Sequence, residues 1–194
     1  DRTIRPLFNQ HMRNEVQIVL TTLSIDQDDP DVVAVIAASL ALGTSDIPWN
    51  GPVSAVRIGK NNEWLVNPDY KVRDEAGVAL EMIACGKDGM INMIEVGSKE
   101  VGEDVMNETL ERASAEIEKI QKWQEKIFKE IGKKKTGVKL PEATPGTKEL
   151  FDAKIAPLLP EHIFHKDIAV GSSKLKYNEV IEKWMGLFKE KLPE

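Results

Sequence analysis

Residues Ala79–Val96 read ALEMIACGKDGMINMIEV, and the reading of this stretch decides the fold. Ala79–Cys85 and Met90–Val96 are apolar runs of strand length. Gly86-Lys87-Asp88-Gly89 between them is a turn, because Gly and Asp tolerate the positive φ that a tight hairpin requires. An antiparallel pair is expected. Towards the N-terminus, past a charged connection that contains Pro68, Glu63–Val66 (EWLV) and Val53–Ile58 (VSAVRI) are short strands around the Lys60-Asn61-Asn62 turn. Gly43–Pro52 holds two glycines and two prolines and reads as a loop. Before it, Pro30-Asp31 is a helix-start signal, and Val32–Leu42 (VVAVIAASLAL) is apolar almost all round with small residues, as in a helix packed within a core. Glu15–Ile25 (EVQIVLTTLSI) is rich in β-branched residues and predicts a strand buried on at least one face.

On the other side of the hairpin the period changes. Val105, Met106, Leu110, Ala113, Ile117, Ile120, Trp123, Ile127 and Ile131 recur mostly at steps of three and four, which predicts one long amphipathic helix from about Glu103 to Ile131, stopped by Gly132 and followed by Lys133-Lys134-Lys135. Val138–Thr147 carries two prolines and two glycines if Gly137 is counted with it, the composition of a linker. Lys148–Leu159 and Leu175–Leu192 read as amphipathic helices. This order predicts an α+β protein: a mixed-sheet core over residues 1–137, then a small all-α domain over 138–194.

The chain has 194 residues, of which 41% are hydrophobic and 30% charged, a globular balance long enough to bury a real core. A net charge of −6 argues against a wholly basic nucleic-acid binder, so any RNA contact has to rest on a local cluster. Cys85 is the one cysteine, which excludes an internal disulfide framework and suits a reducing compartment. No apolar run reaches the roughly 18 residues of a membrane span, and no signal-peptide pattern opens the chain; cytoplasm is the expectation. The chain opens with Asp1 and reaches the predicted strand after a short approach, so a piece of a longer protein is expected.

Several motifs, in order, resemble bacterial polynucleotide phosphorylase, a polyribonucleotide nucleotidyltransferase. They are DRTIRPLF (Asp1–Phe8), NEVQIVLTTLS (Asn14–Ser24), PDVVAVIAASLALGTSDIPWNGPVSAVRIG (Pro30–Gly59), Val66-Asn67-Pro68, and GVALEMIACGKDGMINMIEVGSKEV (Gly77–Val101). Thr3 stands where the family's opening run has Pro. From Val138 onward the similarity is one of position and helical character only. The resemblance implies the later part of the first RNase PH-like core followed by the helical linker domain. It further implies a cytoplasmic, homotrimeric transferase that degrades RNA from its 3′ end, with inorganic phosphate as co-substrate and Mg2+ as cofactor. The catalytic Asp and Lys residues and the phosphate-binding Ser of that family belong to a second core. No catalytic residue and no metal ligand is therefore assigned in this chain, and the isolated fragment is expected to be inactive. Implied partners are RNA, the second core, and KH and OB-type modules; no membrane is implied. The competing reading is a non-enzymatic RNA-binding or assembly scaffold with a degenerate RNase PH-like fold.

Arg2 and Arg5, three residues apart beside Pro6, are the assigned RNA-binding pair, since two guanidinium forks on one loop suit backbone phosphates. The resemblance places them beside an arginine-rich loop that faces the RNA channel. Salt bridges to carboxylates are the alternative. His11 and Arg13 extend the basic stretch, with a solvated loop preferred for His11. For Arg57, near a strand end, an ion pair is preferred over a ligand contact, and for Lys133–Lys135 a helix C-terminus stabilised by its dipole is preferred over RNA phosphate. His162 and His165 with Glu161 and Asp167 lack the pattern of a metal site. Asp26, Asp28, Asp29 and Asp31 read as a solvated turn and helix N-terminus, Cys85 as buried, and the four tryptophans as packing residues. No nucleophile elbow, Walker loop or dinucleotide fingerprint is present.

Overall fold

A computed structural model describes residues 1–138, 144–163 and 172–191. The chain divides into two compact units, Asp1–Lys139 and Leu140–Glu194.

The first unit is built on four strands, β1 (Ser54–Lys60), β2 (Trp64–Val66), β3 (Leu80–Lys87) and β4 (Met90–Ser98), ordered β2-β1-β3-β4. The predicted hairpin forms with Lys87 opposite Met90 and with Asp88 and Gly89 both at positive φ, 54° and 72°, the left-handed pair that a two-residue turn needs. The α+β class holds. Every strand pairing is antiparallel, so among the described residues the sheet is not the mixed one expected. The reason lies in Glu15–Ile25, which enters no strand ladder: β-rich composition reports fitness for a sheet surface, and pairing is decided by whatever lies alongside.

Each face of the sheet is covered by one helix. α1 (Pro30–Thr44) starts on Asp29, whose side chain accepts from the Asp31 N–H, with Pro30 at the first helical position. Its Val32 packs with Ala55 and Cys85, against Ile36, Ile83 and Met93. The opposite face carries Val56, Ile58, Leu80, Met82 and Ala84, sealed by Ala113 and Ile117 of α3 (Glu103–Ile131). The long helix thus occupies the predicted span, but its predicted stripe is only partly its buried one. Trp123 and Ile131 stay exposed, while Gln121 and Gln124 turn inward. Gln124 Nε2 donates to Val53 O at 3.0 Å and Ser54 Oγ at 2.9 Å. Gln121 grips the hairpin turn, accepting from the Asp88 N–H at 2.9 Å and donating to Asp88 Oδ1 at 2.6 Å, and this bond holds the Asp88 carboxyl below its ordinary pKa. A short helix that the sequence reading missed, α2 (Tyr70–Ala76), begins on Asp69, which accepts from the Val72 N–H, and ends on Gly77 at φ 56°.

The crossing of α1 and α3 is set by Gly43. A Cβ there would lie 1.8 Å from Phe128 Cζ, so glycine admits the ring to the helix backbone. An alanine would gain about 1 kcal/mol of helix propensity, yet overpacking costs about 1–3 kcal/mol. Gly43→Ala is therefore expected to lower stability by up to about 2 kcal/mol in urea unfolding. Adding Phe128→Leu should recover most of the loss, and a stabilised Gly43→Ala protein would disprove the close contact.

In the second unit, α4 (Thr147–Lys154), α5 (Leu159–Ile163) and α6 (Ser172–Lys191) replace the two helices expected. Trp184 of α6 meets Phe151 at 5.3 Å and Phe188 at 5.7 Å between ring centroids, edge to face, and Ile155 and Val180 are buried in the same unit. No helix among the described residues is long and apolar enough to cross a membrane.

Candidate nucleic-acid interface

The opening run folds as two overlapping turns, in which the Ile4 and Arg5 N–H groups donate to Asp1 O at 3.1 and 3.0 Å, followed by a single 3-10 turn over Arg5–Leu7 that Pro6 favours. Thr3 and Ile4 are the anchors. Both are buried; Trp49 Nε1 donates to Ile4 O at 3.2 Å and Asn92 Nδ2 to Thr3 O at 3.2 Å. With the anchors turned inward, Arg2 and Arg5 are thrown outward.

The two arginines do not share a partner. Arg2 Nη2 pairs with Glu95 Oε2 of β4 at 2.9 Å, and Arg5 donates through Nε and Nη2 to Asp1 Oδ1 at 3.0 and 2.9 Å. About seven-tenths of each side chain stays in water, 69% for Arg2 and 74% for Arg5. Pairs this exposed are worth roughly 0–1 kcal/mol and are screened by salt, so a phosphate oxygen can replace either carboxylate at little cost. The salt bridges to carboxylates that the sequence offered as the alternative are thus what the structure holds, and they leave both guanidiniums largely exposed.

Arg5 also borders a cleft of about 590 Å³ between the opening run and α1, where Phe8, Asn9, Gln10, Met12 and Asn14 line the wall. The amide side chains Asn9, Gln10 and Asn14 were missed by the sequence reading; their signal was a polar run beside the arginines, with no spacing rule to single them out. Gln10 Nε2 donates to Phe8 O at 3.0 Å, and Asn9 Oδ1 accepts from the His11 N–H at 2.9 Å, which leaves the His11 ring exposed in its loop as expected. Arg13 is exposed as well.

Elsewhere the charged candidates are absorbed by the fold. Arg57, with a side chain only 7% exposed, forms the expected ion pairs, bonding Asp29 and Glu81, while Arg73 of α2 bonds the same two carboxylates at 2.9 and 2.7 Å. Asp29 is therefore no solvated turn residue; it caps α1 and anchors two arginines. The Lys133–Lys135 run needs a correction too. Lys135 Nζ donates to Leu42 O, Gly43 O and Ser45 O at 2.7, 3.0 and 2.7 Å, so it caps the C-terminus of α1 and not that of its own helix. Burial lowers its pKa, an effect that Asp46 opposes. Burial likewise pushes the Cys85 thiol up, which suits a packing residue and not a nucleophile. His162 Nδ1 lies 2.9 Å from Leu158 O, within its own chain turn; His165 and Asp167 lie outside the described residues. Among the described residues no three His, Cys, Asp or Glu side chains converge as a metal would need.

No family model matches the chain. Polyribonucleotide nucleotidyltransferases do: that of Halothermothrix orenii is 42% identical and that of Halalkalibacterium halodurans 40% identical, each over 147 residues, or 75% of this chain and 21% of the relative. The protein of that name from Clostridioides difficile is 43% identical over 142 residues, 72% of this chain and 20% of the relative. The chain spans about one-fifth of the length of the curated relatives it matches. Over about three-quarters of its own length, the chain is homologous to one segment of the polyribonucleotide nucleotidyltransferases.

Proposed function

We propose that this chain serves as a segment of a phosphate-dependent 3′→5′ exoribonuclease, supplying RNA-channel and trimer surface from the later part of a first RNase PH-like core, with the helical linker domain after it. The observation that carries the reading is the 40–43% identity to polyribonucleotide nucleotidyltransferases, beside which stand Arg2 and Arg5, held outward in exposed ion pairs.

In this reading the chain's own residues bind and do not react. Arg2 exchanges Glu95, and Arg5 exchanges Asp1, for phosphate oxygens of single-stranded RNA, and the amide-lined cleft beside Arg5 receives the polar edge of a neighbouring nucleotide. Thr3, Ile4 and Trp49 keep the loop fixed, so little ordering has to accompany binding. In this reading inorganic phosphate, Mg2+ and the reacting groups belong to the second core of the parent. Cytoplasmic location belongs to the same reading.

Two measurements test it. The 194-residue chain given RNA, phosphate and Mg2+ should release no nucleoside diphosphate, whereas a full-length relative carrying this segment should; turnover by the isolated chain would place a reaction centre within it. In the full-length context, Arg2→Ala with Arg5→Ala should weaken RNA binding and reduce the slope of log K against log salt by about 1.4, at roughly 0.7 per single-strand phosphate contact. An unchanged slope rejects the phosphate role. RNA binding by a full-length chain that never degrades RNA would favour the scaffold reading.

A further inference from the structure

The chain leaves α3 along a strap, residues 132–136, that runs over the C-terminal end of α1. The last carbonyls of a helix have no partner within it, and those of α1 need donors from elsewhere. The strap supplies them for five residues in a row. Lys135 Nζ donates to Leu42 O at 2.7 Å, Gly43 O at 3.0 Å and Ser45 O at 2.7 Å. The Lys133 N–H donates to Thr44 O at 3.0 Å, and Asp46 O accepts from the N–H and the Oγ1 hydroxyl of Thr136, at 2.8 and 3.1 Å. Of the three consecutive lysines, Lys133 and Lys134 stay exposed and only Lys135 is half-buried.

All three acceptors of Lys135 are backbone carbonyls, and they converge on one nitrogen. An ammonium is a compact point charge with three donors, so the match is one to one. A planar guanidinium fork could not turn its donors onto the same point. Converging carbonyls also replace the water shell of a potassium ion, and the negative end of the α1 dipole favours any cation placed there. The end of α1 is thus shaped for a monovalent cation, and the one that fills it is tethered to the strap.

We propose that Leu42 O, Gly43 O and Ser45 O form a monovalent-cation site of the ammonium and potassium class, occupied by the side chain of Lys135. Its occupancy docks the strap and fixes the course on which the chain leaves the first unit. Lys135 is a positioning residue in this scheme, and the site owes nothing to RNA binding.

The test is amide exchange, resolved by residue, in the 194-residue chain and in its Lys135→Ala variant. In tetramethylammonium chloride, whose cation has no N–H to donate, the variant should exchange at least about 10-fold faster at Lys133 and Thr136, and also at Ser45, whose N–H closes the last turn of α1 on Ala41 O at 3.2 Å. Replacing the salt with ammonium or potassium chloride at equal ionic strength should slow Ser45 again and leave Lys133 and Thr136 fast, because a free ion fills the site without tethering the strap. Unchanged exchange at Lys133 and Thr136 overturns the proposal. So does a response of Ser45 that is absent, or the same in all three salts, since the loss of an ordinary hydrogen bond has no ion selectivity. Should the variant not fold, the unaltered chain gives a second reading: the Lys135 ammonium protons should exchange with water at least about 10-fold more slowly than those of Lys133 and Lys134. Equal rates for the three lysines overturn the site.

Discussion

Replacing Arg57 with Leu is expected to cost the first unit about 3 kcal/mol, the low end of the roughly 3–5 kcal/mol lost when one partner of a buried ion pair is removed. Arg57 reaches from the middle of the sheet to two carboxylates, Asp29 at the start of α1 and Glu81 on β3, and its side chain is 7% exposed. Its main chain is also committed, since its N–H donates to Asn67 Oδ1 and its C=O accepts from the Asn67 N–H, both at 2.8 Å. Leucine keeps those backbone bonds and leaves two carboxylates with Arg73 as their remaining guanidinium. The presence of Arg73 is why the low end is expected. Arg73→Leu should cost less, because its side chain is 19% exposed and Arg57 stays in place with both acids. Urea unfolding with an unchanged m-value separates the two variants. A loss under about 1 kcal/mol for Arg57→Leu would mean that water screens this cluster as it screens a surface pair. Against the 5–15 kcal/mol typical of a whole domain, the expected loss is large.

The same cluster shows how far a sequence read along its length can go. Pro30-Asp31 was legible as a helix start and Arg57 as an ion-pair former, but nothing in either neighbourhood singles out Asp29, Arg73 or Glu81; only folding brings residues 29, 57, 73 and 81 together. Lys135 is a sharper case. Its lysine run sits after a helix, where the local dipole argument applies, yet its partners are carbonyls about 90 residues earlier. The hairpin and α3 were legible because their signals are local: an Asp-Gly turn at positive φ between apolar runs, and a helical period held for 29 residues. α2 escaped because seven residues, YKVRDEA, carry too few apolar positions to show a period, although Asp69 and Gly77 mark both its ends. Glu15–Ile25 was read as a strand because propensity is local, and among the described residues it stands unpaired because pairing is not. Of the candidate interface, Arg2 and Arg5 were visible as residue types near a proline. The buried anchors Thr3 and Ile4, which decide that the arginines face outward, carry no pattern of their own.

Ile117→Ala is expected to cost about 2–5 kcal/mol, the range for emptying a buried aliphatic site, and the contrast with Trp123→Ala makes the result diagnostic. Both residues lie on the stripe that predicted α3, and by hydrophobicity alone the tryptophan should matter more. The sheet selects differently. Ile117 is 1% exposed and touches the cluster of Val56, Ile58, Leu80, Met82 and Ala84, whereas Trp123 is 50% exposed. Two positions near Trp123 are instead met by the hairpin turn and the start of β1, through Gln121 to Asp88 and Gln124 to Val53 and Ser54. The helix face is thus set by where the sheet is apolar at one end and where it offers backbone polar groups at the other. A smooth 3.6-residue stripe cannot encode that change. Trp123→Ala removes a large ring from a half-wet surface and should cost about 1 kcal/mol or less, within the ordinary span of surface substitutions plus some lost rim contact. Urea midpoints of the two variants, taken at constant m, read the difference directly. A larger loss for Trp123 than for Ile117 would require α3 to be rotated by about a third of a turn from the arrangement described, and that rotation would carry Gln121 and Gln124 away from their partners, so amide exchange at Asp88 provides a second check on the same register.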